Sequence, residues 1–129
     1  MPIHKAPAHV GEHLKQARLK RGLLQREIAE MLGVTAWTVL HWEAGKTTPL
    51  PKDGPAIVRF LGYLPLPTAT LAEQLYAVRF AGGLTQGQAA ASHGVGEDGW
   101  RDAEMGRTVA ETIQRRLEIA AQATSRKDE

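Results

Sequence analysis

The chain has 129 residues, 43% of them apolar and 23% charged, with a formal net charge of +2 and no cysteine. That length holds one domain or two very small ones. The missing thiols exclude disulfides, thiolate catalysis and cysteine-ligated zinc, and the lack of a long apolar run or a signal-peptide pattern leads us to expect a cytoplasmic chain with no membrane association.

Residues 1–8 carry two prolines, His4 and Lys5 and no periodicity, and a flexible arm is expected there. From about Val10 to Arg21 the pattern turns helical through Val10, Leu14, Ala17 and Leu19, and Gly22 ends it. His9 and His13 stand at i and i+4, a spacing that can pair on a metal, but no third ligand accompanies them and no metal site is expected. Gln25 to Leu32 forms a second short segment with Ile28, Ala29 and Leu32 on one face. Gly33, Val34 and Thr35 then turn a corner. The Thr35 hydroxyl can cap a helix over residues 35–44, in which Val39 and Trp42 fall about one turn apart and bury together. Gly45 suits the left-handed residue that closes a helix. Two short helices around such a corner make a helix-turn-helix, whose second helix presents its outer face to a DNA major groove.

Four prolines and glycines (Pro49, Pro51, Gly54, Pro55) keep the following stretch irregular. Asp53 or Gly54 can then cap a helix that begins at Pro55 and packs Ile57, Val58, Phe60 and Leu61 under the helix-turn-helix until Gly62 stops it. Residues 63–69, YLPLPTA, form a proline-stiffened linker. Thr70-Leu-Ala-Glu73 is a capping box that opens a helix through Phe80. At an offset of 61 residues the two halves match at Glu12/Glu73, Leu14/Leu75, Arg18/Arg79, Gly22/Gly83, Leu23/Leu84 and Gln25/Gln86, and again at Ala29/Ala90, Gly33/Gly94, Val34/Val95, Glu43/Glu104, Gly45/Gly106 and Thr47/Thr108. An ungapped register of this length reads as a tandem repeat. A last helix is expected within Thr108 to Ala123, on Val109, Ile113, Leu117 and Ala120. The expected organisation is therefore all-α: an arm at 1–8, one unit at 9–64, a second at 65–123 and a charged tail at 124–129.

Leu23, Gln25, Ile28, Ala29, Leu32, Gly33, Val34, Val39, Trp42, Glu43 and Gly45 together resemble the Cro/repressor-type (XRE) helix-turn-helix family. The resemblance implies two tandem lambda-repressor-like units and a sequence-specific transcriptional regulator, a repressor in the first place, with no cofactor. It also implies a buried ion pair between Arg18 and Glu43, repeated as Arg79 and Glu104; the bland alternative is unrelated surface charges. Base reading is expected on the outer face of helix 35–44, from Ala36, Trp37, Thr38, Leu40 and His41. Ala36 and Leu40 can meet a thymine methyl, and Thr38 and His41 can bond to base edges or phosphate. Trp37 can lie on a sugar-phosphate wall or make a protein contact. Phosphate contacts are expected from Gln25, Arg26, Thr35 and Lys46. Leu24 departs from the pattern, which has a Ser or Thr cap there, whereas the second half keeps Thr85.

Residues 1–64 carry nine Lys/Arg against five Asp/Glu, a net of +4, and residues 65–129 carry seven against nine, a net of −2. Either chance or a division of labour, with only one half facing phosphates, produces such a split. The positions equivalent to Ala36, Trp37 and His41 are Glu97, Asp98 and Asp102, three carboxylates without basic neighbours that would repel a phosphate-lined groove. Val39 with Trp42 becomes Trp100 with Ala103, a large-small exchange that keeps the core volume. The second unit is thus expected to fold without reading DNA.

Residues 82–87, GGLTQG, lack the ending of a phosphate loop, and no catalytic triad is arranged in sequence, so an enzyme is not expected. Two readings remain. The first is a homodimeric DNA-binding regulator. The second is an antitoxin-like or anti-activator protein that works through a protein partner on the Glu97, Asp98, Asp102 face. A third, a monomer using both units as a pseudo-dimer on DNA, is weakened by that acidic face.

Overall fold

The computed structural model describes residues 9–125, with side chains as far as Gln122. The arm expected at residues 1–8 and the last four residues of the expected tail lie outside the described residues. Among those described, the chain is helical throughout, with no strand. It forms two compact units, Met1–Pro65 and Leu66–Glu129. Among the described residues no helix is long and apolar enough to cross a membrane.

The first unit contains α1 (Val10–Lys20), α2 (Gln25–Leu32), α3 (Ala36–Glu43) and α4 (Gly54–Leu61). α1 starts on His9, whose Nδ1 accepts from the Glu12 amide at 3.3 Å. Leu14, Ile28, Val39 and Ile57, one from each helix, are completely buried, with Val10, Ala29, Leu32, Trp42 and Phe60 around them. Gly11 sits where α1 meets α3: a β-carbon there would stand 1.7 Å from the Trp42 carbonyl oxygen. No other residue fits that approach. Leu19, expected on the buried stripe of α1, is instead exposed. It lies two residues past Ala17, about 200° further round the helix, so it points away from the face that Leu14 defines.

Gly33, with φ of 73°, ends α2 and makes the corner. Thr35 caps α3 by accepting from the Thr38 amide at 3.1 Å. The stretch expected to be irregular after α3 includes a 3₁₀ turn, Pro51–Asp53, that runs straight into α4. Asp53 makes no side-chain cap. The turn already occupies the amides at this entrance, with Asp53 N donating to the Leu50 carbonyl at 2.9 Å and Gly54 N to Pro51.

The second unit contains α5 (Leu71–Gly82), α6 (Gln86–Ser92), α7 (Glu97–Glu104) and α8 (Glu111–Ser125). The first three begin 61 residues after α1, α2 and α3 respectively. Thr70 and Thr85 each cap their helix with a reciprocal bond from Glu73 and Gln88. Trp100, Leu75, Leu117, Ala89 and Ala90 form the centre of the core. The indole of Trp100 occupies the position of Val39, and the loss of volume that makes room for it includes Ala89, which stands where the first unit has Ile28. The fourth helices differ. α4 packs chiefly on α1 and α2, whereas α8 lies along α5, begins only at Glu111 and continues two residues beyond the expected limit at 123.

Candidate nucleic-acid interface

The framework of the first unit converges on one carboxylate. Glu43, at the end of α3, is 8% exposed. It accepts from Arg18 Nε at 2.8 Å and Nη2 at 3.0 Å, a two-pronged bond across from α1. Gln25 Nε2, at the start of α2, reaches the same carboxylate at 3.0 Å. Arg18 Nη1 donates to the Leu23 carbonyl at 3.0 Å. Three helices are therefore fixed by the lone pairs of one buried group, where charge-assisted bonds are strongest. This geometry gives Gln25 a structural role as well. One N–H of its carboxamide is taken by Glu43, which leaves the other N–H and the free amides of the helix start as donors on this turn.

α3 divides cleanly by face. Val39 and Trp42 point into the core. Ala36, Trp37 and Leu40 are exposed, and Thr38 and His41 are half-buried. Trp37 alone is 63% exposed. His41 lies against it, with ring centroids 3.8 Å apart and planes at 30°, and His41 Nδ1 meets the Trp37 carbonyl oxygen at 2.8 Å. Thr38 Oγ1 is 2.9 Å from Thr35 Oγ1. The outer face of α3 bears no carboxylate, since the one acid of this helix is the inward Glu43. Arg26 on the first turn of α2, Thr35 at the α3 cap and Lys46 just beyond α3 are exposed. Lys46 is held in place through its backbone, which donates to the His41 carbonyl at 3.0 Å. Leu24 gives α2 no side-chain cap; Glu27 supplies half of the usual box by accepting from the Leu24 amide at 2.8 Å.

The second unit has the same internal framework and a different outer face. Arg79 Nη1 donates to Glu104 at 2.8 Å and Gln86 Nε2 at 3.4 Å, and the Trp100 indole nitrogen donates to its other oxygen. On α7, Glu97 and Asp98 are exposed and Asp102 is half-buried. The expectation of carboxylates without basic neighbours is incorrect. Arg101 pairs with Asp98 at 2.9 Å and Arg107 with Asp102 at 3.4 Å. The i,i+3 spacing of Asp98 and Arg101 was the available signal.

Sequence reasoning missed a more consequential feature. Gly99, at the position of Thr38, lies against α8: a β-carbon on it would be 3.2 Å from an Ile113 methyl. Arg116, also on α8, donates from Nη1 to the Gly94 carbonyl at 2.9 Å, at the corner between α6 and α7. Side chains of the last helix thus meet the corner and one position of α7, the places that correspond to Gly33 and Thr38 in the first unit. Nothing in the periodicity of α8 indicates which helix it covers.

Elsewhere, the two histidines at the start of α1 have separate partners: His9 meets Glu12 at 3.5 Å and His13 Nδ1 meets the Tyr63 hydroxyl at 2.6 Å. Desolvation is the main cause that lowers the pKa of His13, with Glu12 opposing and His9 adding to the shift.

Comparison with curated proteins and with solved structures gave no match. Residues 14–67, however, match a helix-turn-helix family, a DNA-binding regulatory fold rather than an enzyme family. The matched span contains Arg18, Glu43 and the whole α2–corner–α3 arrangement described above. Over residues 14–67, somewhat less than half of its length, this chain is therefore similar to the XRE-type helix-turn-helix family of DNA-binding domains.

Proposed function

We propose that the protein is a sequence-specific transcriptional repressor, acting in the cytoplasm as a homodimer, with α3 seated in the major groove. The observation that carries this reading is the outer face of α3. Ala36, Trp37, Thr38, Leu40 and His41 stand there without a carboxylate, and Arg26 on α2 and Lys46 just past α3 are exposed cations. Small and apolar side chains suit thymine methyl groups, hydroxyl and imidazole suit base edges, and those cations suit phosphates. A single reading helix buries little surface, and doubling it across a two-fold axis is the common remedy. The second unit is then a degenerate copy that supports dimerisation or partner contact. The acids on the outer face of α7, which disfavour a phosphate-lined groove, support that role.

Selection from random duplexes, followed by titration at two salt concentrations, tests the reading. An enriched inverted repeat bound by two chains is expected. Binding that is indifferent to sequence at every salt concentration would refute it. One observation favours a second reading, an antitoxin-like or anti-activator protein acting through protein contacts: Trp37 is a large exposed aromatic of the kind enriched at protein interfaces. Under that reading Trp37→Ala abolishes capture of a protein partner and leaves DNA affinity unchanged.

A further inference from the structure

A histidine on a reading face is ambiguous, because either ring nitrogen can carry the proton of the neutral ring. In His41 the surroundings remove the ambiguity. Nδ1 lies 2.8 Å from the carbonyl oxygen of Trp37, one turn back in α3. A carbonyl oxygen only accepts, so this bond exists only when Nδ1 is the donor. The neutral ring then holds its proton on Nδ1, and Nε2 is left with a lone pair and no hydrogen. The indole of Trp37, 3.8 Å away centroid to centroid and tilted by 30°, lies against the ring and limits its rotation. Orientation and tautomer are both set before any ligand arrives, so little ordering remains to be done on binding.

We propose that His41 is a specificity-determining residue that selects, through Nε2 as acceptor, a base carrying an exocyclic amino group. This inference rests on the reading of α3 as the groove helix. In the major groove the donors are adenine N6 and cytosine N4; guanine and thymine present acceptors, guanine at N7 and O6 and thymine at O4. Against these, the lone pair of Nε2 meets another lone pair. Every Watson–Crick pair has one amino group in this groove, so a fixed acceptor distinguishes which strand carries it rather than A·T from G·C. The expected signature is a position where adenine and cytosine are both accepted on the contacted strand and guanine and thymine are both rejected. Trp37 acts as a positioning residue in this scheme.

The test uses the full chain at about pH 8, where an ordinary histidine is neutral. Nitrogen-15 NMR of the imidazole in the free protein is expected to place the proton on Nδ1; a proton on Nε2 overturns the proposal without reference to DNA. In duplex selection, wild type is expected to prefer adenine or cytosine at one half-site position by about tenfold, within the usual range for one mismatched pair. His41→Ala should flatten that position alone. His41→Lys, which can only donate, should shift it toward guanine or thymine. Replacing the preferred adenine by purine, which lacks the amino group, should weaken wild type and leave His41→Ala unaffected. Sequence-dependent binding with the position unchanged in His41→Ala overturns this inference and spares the function. Sequence-independent binding by wild type overturns both. Both substitutions are at a half-buried surface residue, and thermal melts of the variants identify any loss of fold.

Discussion

Glu43 satisfies three side-chain donors at once, two from Arg18 and one from Gln25, so its removal does more than delete a contact. Glu43→Ala leaves the Arg18 guanidinium buried without a counter-charge, and a stranded charge of this kind costs roughly 3–5 kcal/mol. That is a large part of the stability of a small domain, and denaturant titration of the variant should show the loss directly. A variant as stable as wild type would mean that water or another acid replaces the carboxylate. His13 supplies a second prediction at this scale. Desolvation lowers its pKa in the folded protein, ahead of the opposing Glu12 carboxylate and the smaller lowering by His9. The unfolded chain therefore binds this proton more readily than the folded one, and stability falls as pH drops through the ordinary histidine range. Above that range the contribution is flat. Melts between about pH 8 and pH 5.5 should show the decline, and His13→Phe should diminish it.

At the level of the element, the start of α2 is the weak place. Glu27 accepts from the Leu24 amide, but Leu24 has no side-chain oxygen to return the bond, and the Glu27 amide donates to the Leu24 backbone carbonyl at 3.0 Å instead. The equivalent helix α6 has both halves, through Thr85 and Gln88. Leu24→Thr should complete the box and stabilise the first unit by roughly 1 kcal/mol, read as a higher melting temperature. Leu24 is exposed, so no buried packing is given up. An unchanged melting temperature would show that the existing half-box already saturates this end.

For the molecule as a whole, the balance of charge separates the roles proposed for the two units, +4 in residues 1–64 against −2 in residues 65–129. If only the first unit meets phosphate, Lys46→Ala should weaken binding to all duplexes alike and lower the salt slope by about one. Replacing Glu97, Asp98 and Asp102 together by alanine should leave non-specific DNA affinity unchanged or raise it slightly, because removing negative charge from a protein that binds a polyanion favours binding. The pairing of Asp98 with Arg101 and Asp102 with Arg107 increases that effect, since both arginines are released from their partners. The same triple variant should dissociate more readily in light scattering if this face supports dimerisation. Loss of specific DNA binding with folding and oligomeric state intact would show that α7 reads bases after all.

The sequence by itself determined what depends on near neighbours. Helix starts at Thr35, Thr70 and Thr85, the glycine corner after Leu32 and the apolar faces of α2 and α3 follow from bonds and spacings within a few residues, and so they were legible. So was the pairing of Arg18 with Glu43, through a family pattern that carries the long-range contact in its spacing. Tertiary structure decided the rest. Gln25 has a carboxamide equally suited to phosphate or to a buried acid, and the proximity of Glu43, 18 residues away, settled its direction. The helix ending at Ser125 has an apolar stripe that fits any partner; only the packed second unit puts Ile113 against Gly99 and Arg116 against Gly94. The tautomer of His41 belongs to the same class. Residue type allows both forms, and a carbonyl oxygen 2.8 Å away allows one.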